Sequence, residues 1–353
     1  MLISEVELQS ENYDAVVCVQ GLGFVGAAMA IVISSARRAD GTPRYLVIGV
    51  DQDTPEGNSR IRALSEGRFP FPNSDSLLDD HLRQAARNGN LKATSDRAVF
   101  QWASVTVVDI PLDVDISSRA PESDLEPFKE AIETLGSHMP AGSLVVVETT
   151  VPPGTTVNVV APVLANCLHK RGLGSDAIHL AHSYERVMPG PDYFNSIARY
   201  WRVFAGIDTD SAEACRAFLS SIIDVASFPL TELSNPTASE TAKVLENTYR
   251  AVNIALMDEW GDFAEVIGVD LFEIVDAIRV RPTHSNIRQP GLGVGGYCLT
   301  KDPYFPQVAV GTFFPQAKSN FPLTTHAMEI NRNMPLSAAL RIKEMFRGDI
   351  RGR

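Results

Sequence analysis

Ala15-Val-Val-Cys-Val-Gln-Gly21-Leu-Gly23-Phe-Val-Gly26 is the stretch that decides the fold, because an apolar run passes directly into three glycines spaced Gly-x-Gly-x-x-Gly. Small and apolar residues then continue at helical spacing, so the glycines lie between a predicted strand and a predicted helix. This is the context that a dinucleotide-binding motif requires. Gly21 permits the turn, Gly23 lets the backbone approach a pyrophosphate, and Gly26 lets helix and strand pack closely. The phosphates are then expected at the helix N-terminus.

A second predicted strand, Tyr45–Val50, is followed directly by Asp51. A carboxylate at about this distance from the glycines accepts hydrogen bonds from the adenosine ribose and repels a 2′-phosphate, which favours NAD over NADP. Without the glycines ahead of it, Asp51 would be interpreted as a solvated strand end. The predicted NAD site therefore contains the three glycines, Asp51, and the residues Phe24 and Val25 between the glycines.

Two further apolar runs, at 104–110 and 143–150, lack the strict alternation of a half-exposed strand. Such runs are typical of a parallel sheet that is buried on both faces. With helical patterns between the strands, the sequence predicts an α/β fold, in which a Rossmann-like, doubly wound parallel sheet precedes a helical central domain. A length of 353 residues suggests two or three domains. We place an NAD-binding domain at 1–210, a helical domain at 211–330 and the start of a linker helix at 331–353.

Charge and cysteine usage exclude several classes of protein. The formal net charge of −12 and the pI of about 5.1 argue against nucleic acid or an anionic membrane surface as the partner. No apolar run reaches the length of a membrane span, and the first fourteen residues lack the apolar segment of a signal peptide. The four cysteines lack metal-ligand spacing, so we predict reduced thiols, no metal site and a cytoplasmic protein.

Four glycines precede one cysteine in the stretch Gln289-Pro-Gly-Leu-Gly-Val-Gly-Gly-Tyr-Cys298, and Asp302 follows four residues later. Glycines bring a backbone close to a ligand, so a thiol just after them can be presented to a bound substrate, and Cys298 is a candidate covalent nucleophile. The alternative is a buried, inert cysteine beside a turn, since most free cysteines are small core residues.

Two other stretches place polar groups just after predicted strands. Thr150 is followed by two prolines and Gly154, and Thr155 is expected to be a helix N-cap. Glu185 and Arg186 follow a short predicted strand. In isolation, an adjacent acid and base of this kind is usually surface charge.

A long helix is predicted downstream of Thr237, where Thr-Ala-Ser-Glu240 has capping-box spacing. Lys243, Asn247 and Arg250 are four and three residues apart and therefore share one face of this helix. The polar row is either a solvated face or the lining of a site, and the apolar and small neighbours favour a site. The length and apolarity of the helix also make it a candidate for subunit contacts.

Five stretches together carry a specific resemblance. They are Gly-Leu-Gly-Phe-Val-Gly from 21, Thr-Thr-Val-Pro-Pro-Gly-Thr from 149, Glu-Arg-Val-Met-Pro-Gly from 185, Lys-x-x-x-Asn-x-x-Arg-Ala-x-Asn-Ile-Ala from 243, and Gly-Val-Gly-Gly-Tyr-Cys-Leu-Thr-Lys-Asp from 293. In this order the chain resembles the UDP-glucose/GDP-mannose dehydrogenase family of nucleotide-sugar 6-dehydrogenases. The resemblance implies an N-terminal dinucleotide domain, a central helical domain that forms a homodimer, and a C-terminal nucleotide-sugar domain.

The resemblance also implies a reaction. A sugar C6 alcohol is oxidised to a carboxylate by two hydride transfers to two NAD⁺, without release of the aldehyde. Cys298 adds to the aldehyde, and the resulting thiohemiacetal becomes a thioester. Lys243 and Asn247 would hold the developing oxyanion, and the lysine would favour the thiolate.

Other roles follow from the same resemblance. Asp302 and Thr150 would position or activate water, and Glu185 would act as an acid or base. Thr150 would also contact the cofactor. The implied substrate contacts are Arg186, Asn247, Arg250 and Gly295.

The chain departs from the family pattern at several places. Pro189 stands where the UDP-glucose branch commonly has a second glutamate, which favours a UDP-N-acetylhexosamine as substrate, with UDP-glucose next. Tyr297 replaces a histidine that is usual in the UDP-N-acetylhexosamine branch, and Asp109-Ile-Pro-Leu differs from the threonine-containing turn of the family. The third domain is expected to be absent, which predicts weak nucleotide-sugar binding with retained NAD binding.

Two other functions remain open at this point. One is a two-electron dehydrogenase of the hydroxyacid type, which has a related dinucleotide domain and a catalytic lysine but needs no thiol. The other is a non-catalytic nucleotide-binding module.

Overall fold

The computed structural model describes residues 12–118, 120–317 and 319–348, and these form two compact units. The first unit contains the described residues up to Leu112 together with Asp124–Thr241. The second contains Asp113–Ser123 and the described residues from Ala242 onward. The domain boundary predicted at residue 210 lies inside the first unit, because the helix that begins there packs on the last strands of the sheet.

Eight strands build the sheet of the first unit, and most of them are short and apolar. They are β1 (Ala15–Gln20), β2 (Tyr45–Val50), β3 (Leu91–Thr94), β4 (Val105–Val108), β5 (Leu144–Val147), β6 (His179–His182), β7 (Val203–Gly206) and β8 (Thr231–Glu232). The order is β3-β2-β1-β4-β5-β6-β7-β8. Neighbours are parallel from β3 to β6, β7 is antiparallel to β6, and β8 is parallel to β7.

Seven helices of the first unit follow or precede these strands. They are α1 (Phe24–Ser35), α2 (Pro55–Ser65), α3 (Ser76–Asn88), α4 (Glu126–His138), α5 (Ala161–Lys170), α6 (Asn195–Ala198) and α7 (Thr209–Ile222). A 3₁₀ segment, Arg97–Trp102, precedes β4, and a π turn, Thr156–Val160, precedes α5. Helix α1 is apolar on all sides, and its residues from Ala27 to Ile33 are at most 1% exposed. The core of the unit therefore surrounds β1 and α1.

The central strands explain the position of the glycine turn. Strand β1 pairs in parallel with β2 from Ala15↔Tyr45 to Gln20↔Val50, and on its other side with β4. The strand order reverses between β1 and β4, and in doubly wound sheets ligands bind beside the carboxyl ends of the strands at this switch point. The predicted α/β fold with a mostly parallel, doubly wound sheet is confirmed.

The second unit is helical. Helix α8 (Pro236–Ile267) begins in the first unit and continues into the second, where it is followed by α9 (Leu271–Arg279), α10 (Tyr297–Lys301), α11 (Phe305–Phe313) and α12 (Pro322–Met345). Two short 3₁₀ segments, Pro282–His284 and Asp302–Tyr304, lie between these helices. The predicted long helix downstream of residue 237 is thereby confirmed.

Asp113–Ser123 belongs to the second unit although the residues before and after it belong to the first, and we call this segment the excursion. It contributes to the core of the second unit. Val114 packs against the cluster of Ala251, Tyr304 and Met328. Backbone hydrogen bonds of 2.7 and 3.0 Å between Asp115 and Glu122 close the segment into a loop. Among the described helices, none combines the length and apolar character needed to cross a bilayer.

Candidate functional site

The turn between β1 and α1 has little room for side chains. Gly21 has φ +97°, and a Cβ added there would lie 2.5 Å from the Asp109 carbonyl oxygen. A Cβ on Gly26 would lie 1.9 Å from the Gly21 carbonyl oxygen. A Cβ on Gly23, in contrast, would meet no atom of the described protein within 4 Å. Packing inside the protein therefore requires glycine at 21 and 26, whereas close approach of a ligand explains glycine at 23.

The N-terminus of α1 suits a phosphate group. Gly23 occupies the N-cap position and provides no side-chain cap, and the first turn contains no acidic residue. The first N–H groups of a helix lack intrahelical partners and carry the positive end of the helix dipole. Together with the open space at Gly23, this arrangement fits the pyrophosphate of a dinucleotide such as NAD.

Asp51 lies at the carboxyl end of β2, and its side chain is 7% exposed. One carboxylate oxygen accepts a 2.8 Å hydrogen bond from the backbone N–H of Gln52, and the other lies 3.2 Å from Arg60 Nη1. The carboxylate is therefore fixed in orientation, as an acceptor for ribose hydroxyls must be. Arg60 is a charged neighbour that sequence reasoning did not identify.

A buried acidic cluster lies behind the glycine turn, where β4 and β6 end. Burial, and then the charge of Glu185, raises the pKa of Asp109 well above its usual range, while Arg202 opposes the shift. Asp109 Oδ2 has no hydrogen-bond partner among the described residues. Arg202 is itself buried and pairs with Glu148. In the sequence, Asp109 stands out only as a departure from the threonine-containing turn of the family, although its place at the end of an apolar strand is a usable signal.

Glu185 and Arg186 differ in their surroundings. Glu185 is 8% exposed and accepts a hydrogen bond from the backbone N–H of Val187. Arg186 donates to the Trp201 carbonyl at 2.7 Å and to the Tyr184 hydroxyl at 3.1 Å. The burial of Glu185 does not fit the surface-charge interpretation.

The loop after β5 is held by hydrogen bonds that the sequence did not predict. Glu240, at 1% exposure, accepts hydrogen bonds from the N–H groups of Gly154 at 2.6 Å and Thr156 at 2.7 Å. Thr155 stands at the N-cap position of the π turn, as expected, but its side chain makes no cap hydrogen bond, because its hydroxyl donates to the Pro152 carbonyl at 2.6 Å. Thr150, in the same loop, is partly exposed.

The predicted capping box of α8 is wrong. The side chain of Asn235 accepts the hydrogen bond from the Ala238 N–H at 3.0 Å, so Asn235 caps this helix. Glu240 is engaged by the loop after β5 instead. Burial raises the pKa of Glu240 to about 7, although its three hydrogen-bonding interactions with Thr156 and Gly154 act in the opposite direction.

In the second unit, the structure brings Asn247 and Asp302 together. Asn247 Nδ2 donates to Asp302 Oδ2 at 2.7 Å, and Lys301 Nζ lies 2.8 Å from Asp302 Oδ1. Asp302 is fully buried and Asn247 is 3% exposed. The Lys301 ammonium also lies over the rings of Tyr297, at 4.4 Å, and Phe305, at 4.7 Å. A buried carboxylate is thereby fixed four residues after Cys298.

Cys298 is the second residue of α10 and is exposed, whereas Cys18, Cys167 and Cys215 are buried. Gly296, at φ +88°, turns the chain into this helix. The charge of Cys298 contributes to the raised pKa of Tyr297, after burial and the effects of Asp113 and Asp302. The thiol is therefore accessible, and the alternative of a buried, inert Cys298 is not supported.

The other site residues predicted in the second unit are Lys243, Arg250 and Gly295, and they differ in solvent exposure. Lys243 is 7% exposed, whereas Arg250 and Gly295 are exposed. A Cβ on Gly295 would meet no described atom within 4 Å. The burial of Lys243 and Asn247 excludes a fully solvated polar face for this part of α8. Among the described residues, no group of three histidine, cysteine or acidic side chains is arranged to hold a metal ion.

Comparisons with known proteins agree with this geometry. The family model for the NAD-binding domain of the UDP-glucose/GDP-mannose dehydrogenase family matches residues 15–222, and the model for the central domain of that family matches residues 237–333. The two matches cover most of the first unit and much of the second.

Two relatives and one solved structure illustrate the similarity. The UDP-N-acetyl-D-mannosamine dehydrogenase of Methanocaldococcus jannaschii is 30% identical over 95% of this chain and 69% of that protein. The enzyme of the same name from Pyrococcus horikoshii is 32% identical over 92% of this chain and 69% of that protein. A solved structure of the Pyrococcus horikoshii UDP-D-ManNAc dehydrogenase superposes with a TM-score of 0.79 at 30% identity, covering 93% of this chain and 71% of that chain.

Proposed function

Because this chain belongs to the UDP-glucose/GDP-mannose dehydrogenase family of NAD-dependent nucleotide-sugar dehydrogenases, we propose that it oxidises the C6 alcohol of a UDP-sugar to a carboxylate. The observation that carries the proposal is the exposure of Cys298 directly after a glycine turn. Four residues later in the chain lies Asp302, whose buried carboxylate accepts a hydrogen bond from Asn247. A two-electron dehydrogenase needs no such thiol.

The cofactor supplies a hydride acceptor in each of two oxidation steps. In the first step, the C6 alcohol loses a hydride and a proton and becomes an aldehyde. The Cys298 thiolate then forms a C–S bond to C6, and the carbonyl oxygen takes up a proton. Loss of a second hydride and a proton gives a thioester. Water adds to this thioester, the C–S bond breaks, and the carboxylate and free thiol are formed.

Residues of the second unit support the covalent steps. Lys243 and Asn247 are buried on one face of α8 and stabilise the oxyanion that develops at C6, since charge and amide donors act strongly in a dry site. Asp302 orients water and takes up its proton during thioester hydrolysis. Arg250 and Gly295 contact the substrate.

Residues of the first unit hold the cofactor and transfer protons. Gly21, Gly23 and Gly26 shape the pyrophosphate turn, and Asp51 accepts hydrogen bonds from the ribose. Phe24 and Val25 lie at the same helix N-terminus. Thr150 contacts the cofactor and positions water, Glu185 acts as an acid or base, and Arg186 contacts the substrate.

The substrate that we propose first is a UDP-N-acetylhexosamine. Pro189 replaces a second glutamate after Glu185, and the two relatives described above are named as acting on UDP-N-acetyl-D-mannosamine. UDP-glucose is the second candidate. The product would be a uronic acid for polysaccharide biosynthesis, and the need for NAD⁺ and a reduced thiol agrees with a cytoplasmic location.

The test is the number of NADH molecules formed per sugar. Purified protein is incubated with NAD⁺ and each of a panel of UDP-, TDP- and GDP-sugars, beginning with UDP-N-acetyl-D-mannosamine. The amounts of NADH and of oxidised sugar are then measured. The proposal requires two NADH per uronic acid. Cys298→Ala is expected to stop after the first oxidation, whereas Cys167→Ala, which removes a buried thiol, keeps both steps.

Other outcomes support the alternatives. One NADH per sugar with an unaffected Cys298→Ala variant indicates a two-electron dehydrogenase. Retained NAD binding without NADH formation across the panel indicates a non-catalytic nucleotide-binding module.

We also propose a homodimer formed through α8. Exposed apolar side chains on this helix recur three, four or seven residues apart and form a stripe, which we call the α8 apolar stripe. Its members are Leu245, Tyr249, Leu256, Phe263, Val266 and Ile267, which are 39–84% exposed. A second copy of the same stripe would bury them, as two-fold symmetric interfaces do.

A further inference from the structure

The loop after β5 exposes a single residue. Residues 143–149 and 151–156 are buried, and Thr150 between them is partly exposed. On one side of Thr150, the loop is anchored by the Thr149 hydroxyl, which lies 2.9 Å from the carbonyl oxygen of Ile110, just after β4. Thr150 is the residue of this loop for which we propose contacts with the cofactor and with water. How it is presented therefore depends on what holds the buried residues on either side of it.

On the other side of Thr150, the loop is held by both carboxylate oxygens of Glu240. Oε2 accepts a hydrogen bond from the Gly154 N–H at 2.6 Å, and Oε1 accepts one from the Thr156 N–H at 2.7 Å. These N–H groups stand at the start of the π turn that leads into α5, where a helical segment has donors without intrahelical acceptors. A carboxylate at this end also complements the helix dipole. Glu240 thus caps the segment from α8.

This contact requires Glu240 to be ionised. A carboxylate accepts hydrogen bonds at both oxygens, whereas an un-ionised carboxyl group or a glutamine amide accepts at one end and donates at the other. Either of the latter would place a donor against one of the two N–H groups. Glu240 is 1% exposed, so water has little access to replace the lost acceptor. The geometry of the loop therefore depends on the charge of this side chain.

We propose that Glu240 is a positioning residue for Thr150, and that its ionised carboxylate holds the loop after β5 in the form that binds NAD. The proposal rests on the cofactor contact of Thr150 proposed above. Because Glu240 is buried and bonded to the loop backbone, it acts through the position of Thr150 and not on the cofactor itself.

The proposal makes NADH binding dependent on pH. Burial raises the pKa of Glu240 to about 7, so the carboxyl group ionises as the pH rises through this value, and the affinity for NADH is expected to rise with it. Two other titratable groups lie near Glu240. Lys243 is one turn further along α8, and His182 of β6 is bonded through Nδ1 to Ser239 at 2.8 Å. A pH dependence that persists in Glu240→Gln would belong to one of these groups and would contradict the proposal.

NADH binding, followed by its fluorescence without any sugar at pH values below and above 7, is the first test. Above this pH, Glu240→Gln is expected to bind NADH about tenfold more weakly than the parent protein, because one N–H group loses its acceptor. Its affinity should not change with pH in this range. Glu213→Gln, at an exposed position on α7, is the control and should bind as the parent protein does. Circular dichroism melts establish that each variant is folded.

A double-mutant cycle separates positioning from a general structural role. Thr150→Val removes the hydroxyl with little change in side-chain size. If Glu240 acts through Thr150, then Glu240→Gln/Thr150→Val binds NADH no more weakly than Thr150→Val alone. Losses that simply add, or parent-like binding by Glu240→Gln, overturn the proposal.

The amide proton resonances of Gly154 and Thr156 report on the contact with Glu240 in the absence of NADH. In the parent protein they are expected to shift with pH around a midpoint near 7, and in Glu240→Gln they should not. Resonances that do not titrate in the parent protein would also overturn the proposal. Titrating resonances in a parent protein that does not bind NADH would instead contradict the NAD site itself.

Discussion

The side-chain amide of Asn247 donates a 2.7 Å hydrogen bond to the buried carboxylate of Asp302, which lies 55 positions further along the chain. The second oxygen of this carboxylate faces the Lys301 ammonium at 2.8 Å. The Asp302 side chain therefore connects α8, through Asn247, to the end of the segment that carries Cys298. Away from water, removal of any one of these three polar groups leaves at least one of the others without this hydrogen-bond partner, which destabilises the fold.

Asp302→Ala is expected to destabilise the protein by about 3–5 kcal/mol, because it leaves a buried ammonium and a buried amide without their acceptor. Asp302→Asn keeps an acceptor for Asn247 and should cost less. Urea unfolding measures both, with Glu273→Gln as an exposed control on α9. Equal stability of Asp302→Ala and the parent protein would contradict the connection.

The pKa of Glu240 predicts a pH dependence of stability. Burial raises this pKa from the ordinary value of 4.5 to about 7, so the folded protein binds a proton more tightly than the unfolded chain. The stabilising contribution is present below pH 4.5 and is lost as the pH rises through about 7. Relative to Glu240→Gln, which does not titrate, the parent protein should lose about 3 kcal/mol across this window. A difference that stays constant with pH would refute the assignment.

Gly23 and Gly26 form a matched pair of test positions in the same turn. Gly26→Ala should destabilise the first unit, since its Cβ would lie 1.9 Å from a backbone oxygen. Gly23→Ala has open space and should leave the melting temperature nearly unchanged while weakening NADH binding. Thermal melts and fluorescence titration separate the two effects. Normal NADH binding by Gly23→Ala would argue against a phosphate at this helix N-terminus.

Phe263→Glu tests the α8 apolar stripe. Phe263 is 65% exposed, so a glutamate should leave the folded chain intact but place a charge in the proposed two-fold interface. Light scattering coupled to gel filtration is expected to change from a dimer mass to a monomer mass. Ala217→Glu, an exposed position on α7, controls for the added charge. A monomeric parent protein would remove the dimer proposal.

Local pattern is sufficient to predict the fold class of the first unit and its central strand, turn and helix. The apolar strand, the three glycines and the buried helix α1 follow one another within about twenty residues, and short-range packing determines them. The second strand, Tyr45–Val50, has the predicted bounds. Asp51 was identified for the same reason, since it directly follows a strand.

The polar contacts depended on partners far away in the chain. The spacing predicts that Glu240 caps the N-terminus of its own helix, yet its carboxylate accepts hydrogen bonds from N–H groups 84 and 86 residues away. The paired state of Asp51 with Arg60 and the burial of Asp109 likewise depend on tertiary packing. Spacing within one helix or strand cannot show which of several polar groups a folded neighbour will occupy.

The excursion Asp113–Ser123 has a consequence for biosynthesis. A ribosome makes Val114 well before Ala251, Tyr304 and Met328, the residues against which it packs. Until those residues have been synthesised, the apolar side chain of Val114 lacks them as packing partners in the second unit, although the parts of the first unit on both sides of it come earlier in the chain. Because each unit contains two separate stretches of the chain, cleavage at one position does not yield two complete units. Expression of either unit alone therefore requires residues 113–123 to be moved to the second unit or replaced by a linker in the first.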